Sequence, residues 1–277
     1  MKFHHTIISK KNNFFNFFKK KNKNQFRILM YHDIQKNNLL EFRNQLTELK
    51  KKWIFINPHD LDKFSETTLP IKGKNLLLTF DDGYKSMLNV KEILQELNIN
   101  AIFFVISDFV NLTHSDNPKD YIIKNIDSNI NMKKDYKNLN WEDLKKLIND
   151  GHIIGAHTKS HKKLSKIKNN DFLREEIIES SNEIEKKLNI NIKHFAYSYG
   201  DIHSFNEISY KIAKSKFKYI FSGIRGNNSN LNFKKCILRR DSIEPNFSLN
   251  LIKFFLDGFI DIKYKRDTKK LDKWSDL

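Results

Sequence analysis

From about residue 27 to residue 256 the chain alternates short apolar runs with longer amphipathic stretches, and this rhythm limits the folds open to it. The runs lie at residues 27–31, 54–56, 76–80, 101–106, 153–156, 194–197, 219–222 and 236–240. Each is too short for a helix, so each reads as a strand. The run at 101–106 has no polar residue, as expected of a strand covered on both faces. Between the runs, residues 39–52 carry Leu40, Phe42, Leu46 and Leu49 on one helical face. Residues 86–97 do the same with Val90, Ile93, Leu94 and Leu97. Further helices are expected at 141–149, capped by Asn140 with Asp143 reaching back, and near 171–188, 205–215 and 249–256. About eight strands separated by helices predict a mostly parallel sheet, closed as a barrel or doubly wound.

One domain is expected over residues 26–260, with an Asn-, Asp- and Lys-rich insertion or long loop at 107–139 lying over one end. Residues 1–25 hold lysines and no acids around Phe14, Phe15, Phe17 and Phe18. They read as a basic, disordered tail, or as a short amphipathic segment in peripheral contact with an anionic membrane. A secretory signal would need a continuous apolar stretch and a small-residue cleavage site, and neither is present. Residues 261–277 read as a charged tail. No apolar run has the length of a membrane span, and the single Cys236 excludes an intrachain disulfide, so a cytoplasmic place is expected. Cys236, in Lys-Cys-Ile-Leu, reads as a small core residue.

The net charge of +17 invites a nucleic-acid reading. The excess is mostly lysine spread along the whole chain, which fits solvated surface charge better than a shaped phosphate groove, and no nucleic-acid partner is expected. Anionic glycans, phospholipid head groups or a sugar-phosphate carrier suit the charge better.

In a parallel barrel the active site forms where strands end. Residues 28–31 are followed by His32 and Asp33, 76–80 by Asp81 and Asp82, 153–156 by His157 and His161, and 194–197 by Ser198, Tyr199, Gly200 and Asp201. The run at 236–240 carries Arg239 and Arg240. Two adjacent carboxylates ending a buried strand repel each other and lose hydration. A divalent cation would relieve that cost, whereas a plain Asp-Gly turn is the simpler alternative. His157 and His161, four apart, would stack on one face of a helical turn around a single ion, or stand as two exposed histidines. With Asp82 they would make a two-histidine, one-carboxylate site with open positions for water. Asp81 would then serve as the base, a backbone N–H of the 198–200 turn as an oxyanion donor, and His32 as the acid for a leaving nitrogen.

These residues bring the chain into resemblance with the NodB-type polysaccharide deacetylases, over about residues 28–245. Thr79-Phe80-Asp81-Asp82-Gly83 is similar to the family's first motif, and His157-Thr158-Lys159-Ser160-His161, followed by Leu164, to its second. Phe195 to Asp201 resembles a third motif, and Leu29-Met30-Tyr31-His32-Asp33 the start of the poly-N-acetylglucosamine deacetylase branch. The resemblance implies a distorted (β/α) barrel of seven to eight strands and metal-dependent hydrolysis of an acetamido group, with zinc first among the candidate ions. It implies Asp82, His157 and His161 as ligands, Asp81 as base, the Tyr199 backbone at the oxyanion, and an N-acetylated glycan as substrate. The basic, aromatic N-terminus and the missing export signal suggest a rival within the enzyme class, deformylation or deacetylation of a lipid-linked sugar at the inner membrane face. A catalytically silent glycan-binding module on the same fold is the alternative from another class. Two departures stand out. No histidine follows His203, so the late acid motif of many members is absent and His32 takes its place, as in the branch. Ala196 stands where many members have a base-orienting arginine, which leaves Arg239 or Arg240 to substitute; Arg240 is the candidate carried forward.

Overall fold

The structure, a computed structural model, describes residues 24–66 and 71–275. The basic aromatic segment at 1–25 lies, up to residue 23, outside the described residues. Nine strands form one sheet: β1 Gln25–Tyr31, β2 Ile54–Phe55, β3 Lys74–Phe80, β4 Ala101–Val105, β5 Ile153–Ala156, β6 His194–Ala196, β7 Tyr219–Phe221, β8 Ile237–Leu238 and β9 Asp241–Ser242. Their order is β8-β7-β6-β5-β4-β3-β1-β9, with β2 also paired to β3, and every pairing is parallel.

The two ends of this path are halves of one bent segment. Ile237 and Leu238 pair with Ile220 and Phe221 of β7, while Asp241 and Ser242 pair with Leu29 and Met30 of β1. Arg240 donates its backbone N–H to Ile224 (3.0 Å) and Ile243 donates to Met30 (2.9 Å), so the segment holds both neighbours as it bends. The sheet thereby curls into a distorted (β/α) barrel with its strand ends at one rim.

Strand alternation sorts the apolar residues into two layers. Phe26, Ile28, Leu77, Ile102, Phe104, Ala196, Phe221 and Leu238 fill the interior. Leu29, Tyr31, Leu76, Leu78, Phe80, Phe103 and Val105 face outward and join the helices in the larger core. On the outer side, Arg27 of β1 donates to both carboxylate oxygens of Asp241 on β9 (2.8 and 2.7 Å) and to Asp261 (2.7 Å). Arg27 and Asp241 are wholly buried. A guanidinium and a carboxylate without water are tolerable only as such a bonded pair, and this one ties the barrel's closing edge.

Several elements differ from the sequence expectation. Residues 261–277, expected as a charged tail, are folded as far as residue 275: the helix Lys265–Ser275 buries Leu271 and Trp274, three apart on one face among its lysines. Leu40, expected inside, is 65% exposed at the first turn of the helix Leu39–Lys50, whose buried face is Phe42, Leu46 and Leu49. The stretch 86–97 divides into a 3₁₀ helix, Lys85–Val90, and a short α-helix, Lys91–Glu96. Cys236 is half-buried. The capping box of Asn140 and Asp143 on the helix Trp141–Asn149 is present. The insertion at 107–139 holds two short helices, Ser107–Val110 and Pro118–Asn125, anchored by buried Phe109, Ile122 and Leu139. Among the described residues no helix is long and apolar enough to cross a membrane.

Candidate active site

The parallel registers bring the polar strand ends to one rim. Asp81 leaves β3 with its N–H bonded to the Tyr31 carbonyl of β1 (2.9 Å), and His157 leaves β5 bonded to the Val105 carbonyl of β4 (2.9 Å). Asp82 follows with φ of 80°, a left-handed conformation costly for a residue with a Cβ. Thr158 (65°), His161 (61°) and Tyr199 (61°) share that region, so four of the six left-handed non-glycine residues among the described residues lie at this rim. Such concentration of strain is typical of functional sites.

His157 and His161 do not sit on a helix. After Ala156 the chain runs as an irregular loop as far as Lys163, and the left-handed turns at Thr158 and His161 bring the imidazoles together with ring centroids 5.3 Å apart. Each ring is oriented through Nδ1, by the Ala196 carbonyl at 2.8 Å for His157 and the Asn125 carbonyl at 3.0 Å for His161. A carbonyl can only accept, so each Nδ1 carries the proton and each Nε2 keeps its lone pair. Both Nε2 atoms lie 3.5 Å from Asp82 Oδ1. Asp82, His157 and His161 are buried, and one ligating atom from each lies within 4.8 Å of the others. Two imidazole nitrogens free to coordinate and one carboxylate oxygen suit a divalent transition metal.

The electrostatics agree for Asp82 and His161. Burial opposes ionisation of Asp82, yet contact with His157 and the nearby His161 and His32 hold its carboxyl well below the usual range. Burial pushes His161 down to about 4 against the pull of Asp82, so its imidazole is neutral near pH 7. His157 is also desolvated, but Asp81 and Asp82 outweigh burial and raise it.

Asp81 is 2% exposed and lies 3.9 Å from His157 Nε2. Both its oxygens accept from Arg240, each at 2.7 Å, in a forked pair. Arg240 is itself fully buried, donates Nε–H to the Ser222 carbonyl (2.8 Å), and lies 5.3 Å from the Phe104 ring centroid. Strand alternation decides between the two arginines. Arg240 points into the barrel with Leu238, whereas Arg239 points away and bonds Asp272 (2.6 Å).

Tyr199 stands over His161 with ring centroids 4.6 Å apart, its hydroxyl donating to the Asn125 carbonyl (3.2 Å). Its backbone N–H has no acceptor among the described residues. Gly200 follows at φ of 70°, where a Cβ would sit 2.4 Å from the Gly223 nitrogen, so only glycine fits. His32 and Glu244 line the same cleft, of about 350 Å³, with Asp81, Asp82, His157, His161 and Tyr199. Ile126, Asp127, Ile130, Lys134 and Tyr136 of the insertion close one side. Six of the seven residues expected at the site line this cleft, and the seventh, Arg240, lies buried behind it, bonded to Asp81. The insertion was expected over one end of the fold, but the Ala196 and Asn125 carbonyls, the individual wall residues and Glu244 were not foreseen; main-chain groups carry no residue signature.

Several solved structures share the fold. The Streptococcus pyogenes deacetylase PplD, in complex with acetate, is 23% identical, with a TM-score of 0.64 over 84% of this chain and 98% of that one. IcaB from Ammonifex degensii is 19% identical, with a TM-score of 0.67 over 85% and 98%. A de-N-acetylase from Aggregatibacter actinomycetemcomitans is 17% identical, with a TM-score of 0.64 over 84% and 100%. No curated protein matches the chain. The family model described as polysaccharide deacetylase matches residues 69–217, from the approach to β3 to the turn before β7, which carries the Asp-Asp pair, both histidines and the Tyr199 turn. That match spans more than half of the 277 residues, and the chain belongs to the polysaccharide deacetylase family.

Proposed function

We propose that this protein hydrolyses the N-acetyl group of an acetamido sugar in a cell-envelope polysaccharide or its precursor, with a divalent cation, zinc first, held by Asp82, His157 and His161. The observation that carries the reading is the meeting of two imidazoles, each turned by a carbonyl at Nδ1 so that Nε2 faces Asp82, and a low-pKa carboxylate beside a second carboxylate fixed by Arg240. When bound, the cation supplies Lewis acidity and lowers the pKa of a coordinated water.

The remaining roles fall to the chain's own groups. Asp81, 3.9 Å from His157 and clamped by Arg240, accepts the proton of the attacking water. Arg240 fixes the carboxylate plane through its forked pair of bonds. The Tyr199 N–H, without another acceptor among the described residues, donates to the oxygen on which negative charge develops. His32 lines the cleft from the end of β1 and protonates the departing amine. The insertion wall of Ile126, Ile130 and Tyr136 excludes water around the acetyl group.

The test is amine release from N-acetylated oligosaccharides by metal-stripped protein, with and without added Zn²⁺. Release that depends on the ion is expected. Equal release by stripped and reloaded protein would overturn the reading.

A further inference from the structure

The loop between the two imidazoles is tethered at each of its residues. The Thr158 carbonyl accepts from the Ser107 N–H (3.4 Å) and the Lys159 carbonyl from the Asp108 N–H (3.0 Å). His161 donates its N–H to Thr158 Oγ1 (3.0 Å). The other three bonds all go to one residue, Glu176. Its carbonyl accepts from the Lys159 N–H (2.9 Å), its Oε2 from the Ser160 N–H (3.0 Å) and its Oε1 from the Ser160 hydroxyl.

Glu176 is 1% exposed. A glutamate that deep persists only where its oxygens are met, and here the loop meets both. It arrives on a π-helical turn, Glu175–Glu179, set between the helices Asn170–Arg174 and Ser180–Leu188. Turns of this kind interrupt α-helices mostly where function has claimed a side chain. Its neighbour Glu175 is half-buried and pairs instead with the Lys159 side chain, so the two acids of the turn have different tasks.

The geometry points to Glu176 as the positioning residue for the histidine pair: it holds the Thr158–Ser160 backbone so that the left-handed turns at Thr158 and His161 persist before any cation binds. It touches neither the cation donors nor the cleft, and acts through Ser160, the residue adjoining His161. Without it, the loop is free to relax toward ordinary backbone angles and the His161 Nε2 leaves its place 3.5 Å from Asp82. The inference rests on the metal reading of the site.

The experiment is calorimetric titration of Zn²⁺ into metal-stripped full-length protein, with thermal unfolding of each apo variant recorded alongside. Wild type is expected to take up one equivalent. Glu176→Ala is expected to bind about ten- to a hundredfold more weakly, as loss of groups that orient ligands does. Glu176→Gln, which keeps an acceptor for the Ser160 N–H, should recover most of that loss. Glu175→Ala should stay within about twofold of wild type, since its ion pair ends on the Lys159 side chain and holds no part of the loop backbone. Wild type that takes up no Zn²⁺ overturns both the site reading and this inference. Wild type that binds while folded Glu176→Ala binds as tightly overturns the inference alone. Should Glu176→Ala not fold, Ser160→Ala decides: a loss of about threefold supports the tether, in line with one hydrogen bond of two, and unchanged affinity refutes it.

Discussion

Arg240 and Asp81 stand 159 residues apart in the chain and meet as a forked ion pair, each guanidinium arm 2.7 Å from a carboxylate oxygen, with both groups buried. Arg240 lies on the bend between β8 and β9 and Asp81 at the end of β3, so the pair bridges the barrel interior. Family members with an arginine at the position of Ala196 would present it from β6; here the same charge comes from the bend between β8 and β9.

Removing Arg240 leaves Asp81 as an unpaired anion in a dry site. Arg240→Ala is therefore expected to lower stability by about 3–5 kcal/mol, the usual cost of breaking a buried pair. Arg240→Lys keeps a charge but not the fork and should fall between. Denaturant unfolding of the two variants checks this, and a loss below about 0.5 kcal/mol for the alanine would contradict it.

The two adjacent acids should separate cleanly. Asp82→Ala removes a cation donor, so uptake of Zn²⁺ should be abolished. Asp81→Asn leaves the three donors in place, so Zn²⁺ should bind while turnover drops by about 10²–10⁴, the range of a lost general base. Equal loss of metal in both variants would show that the roles are not divided as stated.

His32→Ala should leave Zn²⁺ affinity within about twofold, because His32 is outside the donor cluster, and cut kcat by about 10²–10⁴. The rate on a substrate with a better leaving group should fall less, since such a group needs less protonation. An unchanged kcat would remove His32 from the chemistry.

Stability should weaken in mild acid. Burial holds His194 down to about 3 and His152 to about 4, below the value of about 6.5 in an unfolded chain. Between those values the unfolded chain binds protons that the folded one refuses, so stability falls as pH drops, by up to about 1.4 kcal/mol per pH unit for each histidine. Urea unfolding at pH 7.5 and pH 5 should show the fall. His194→Phe, which keeps the aromatic packing against Tyr219, should show one smaller by about 1–2 kcal/mol.

The sheet was readable because parallel strands buried on both faces are nearly continuous apolar runs, as β3 and β4 are. The Asp-Asp and two-histidine motifs gave the donor set, and alternation along 238–240 could have chosen Arg240 over Arg239. The backbone at His157 to His161 could not be foreseen. A spacing of four suits a helix and this loop alike, and Thr158, being β-branched, is not a type that announces a left-handed turn. The π turn at Glu175–Glu179 leaves the apolar spacing of Leu173, Ile177, Ile184 and Leu188 looking like plain α-helix. Residues 265–275 misled because lysines dominate a segment whose two large apolar side chains do the packing.

The bend that joins β8 to β9 sets an order on the protein's maturation. Until the ribosome has added residues 237–242, β1 and β7 each keep a raw edge and Asp81 has no guanidinium to face. Shutting the cylinder and pairing Asp81 are thus one late event, and a nascent polypeptide released before that point would be sticky, with its Asp81 unpaired.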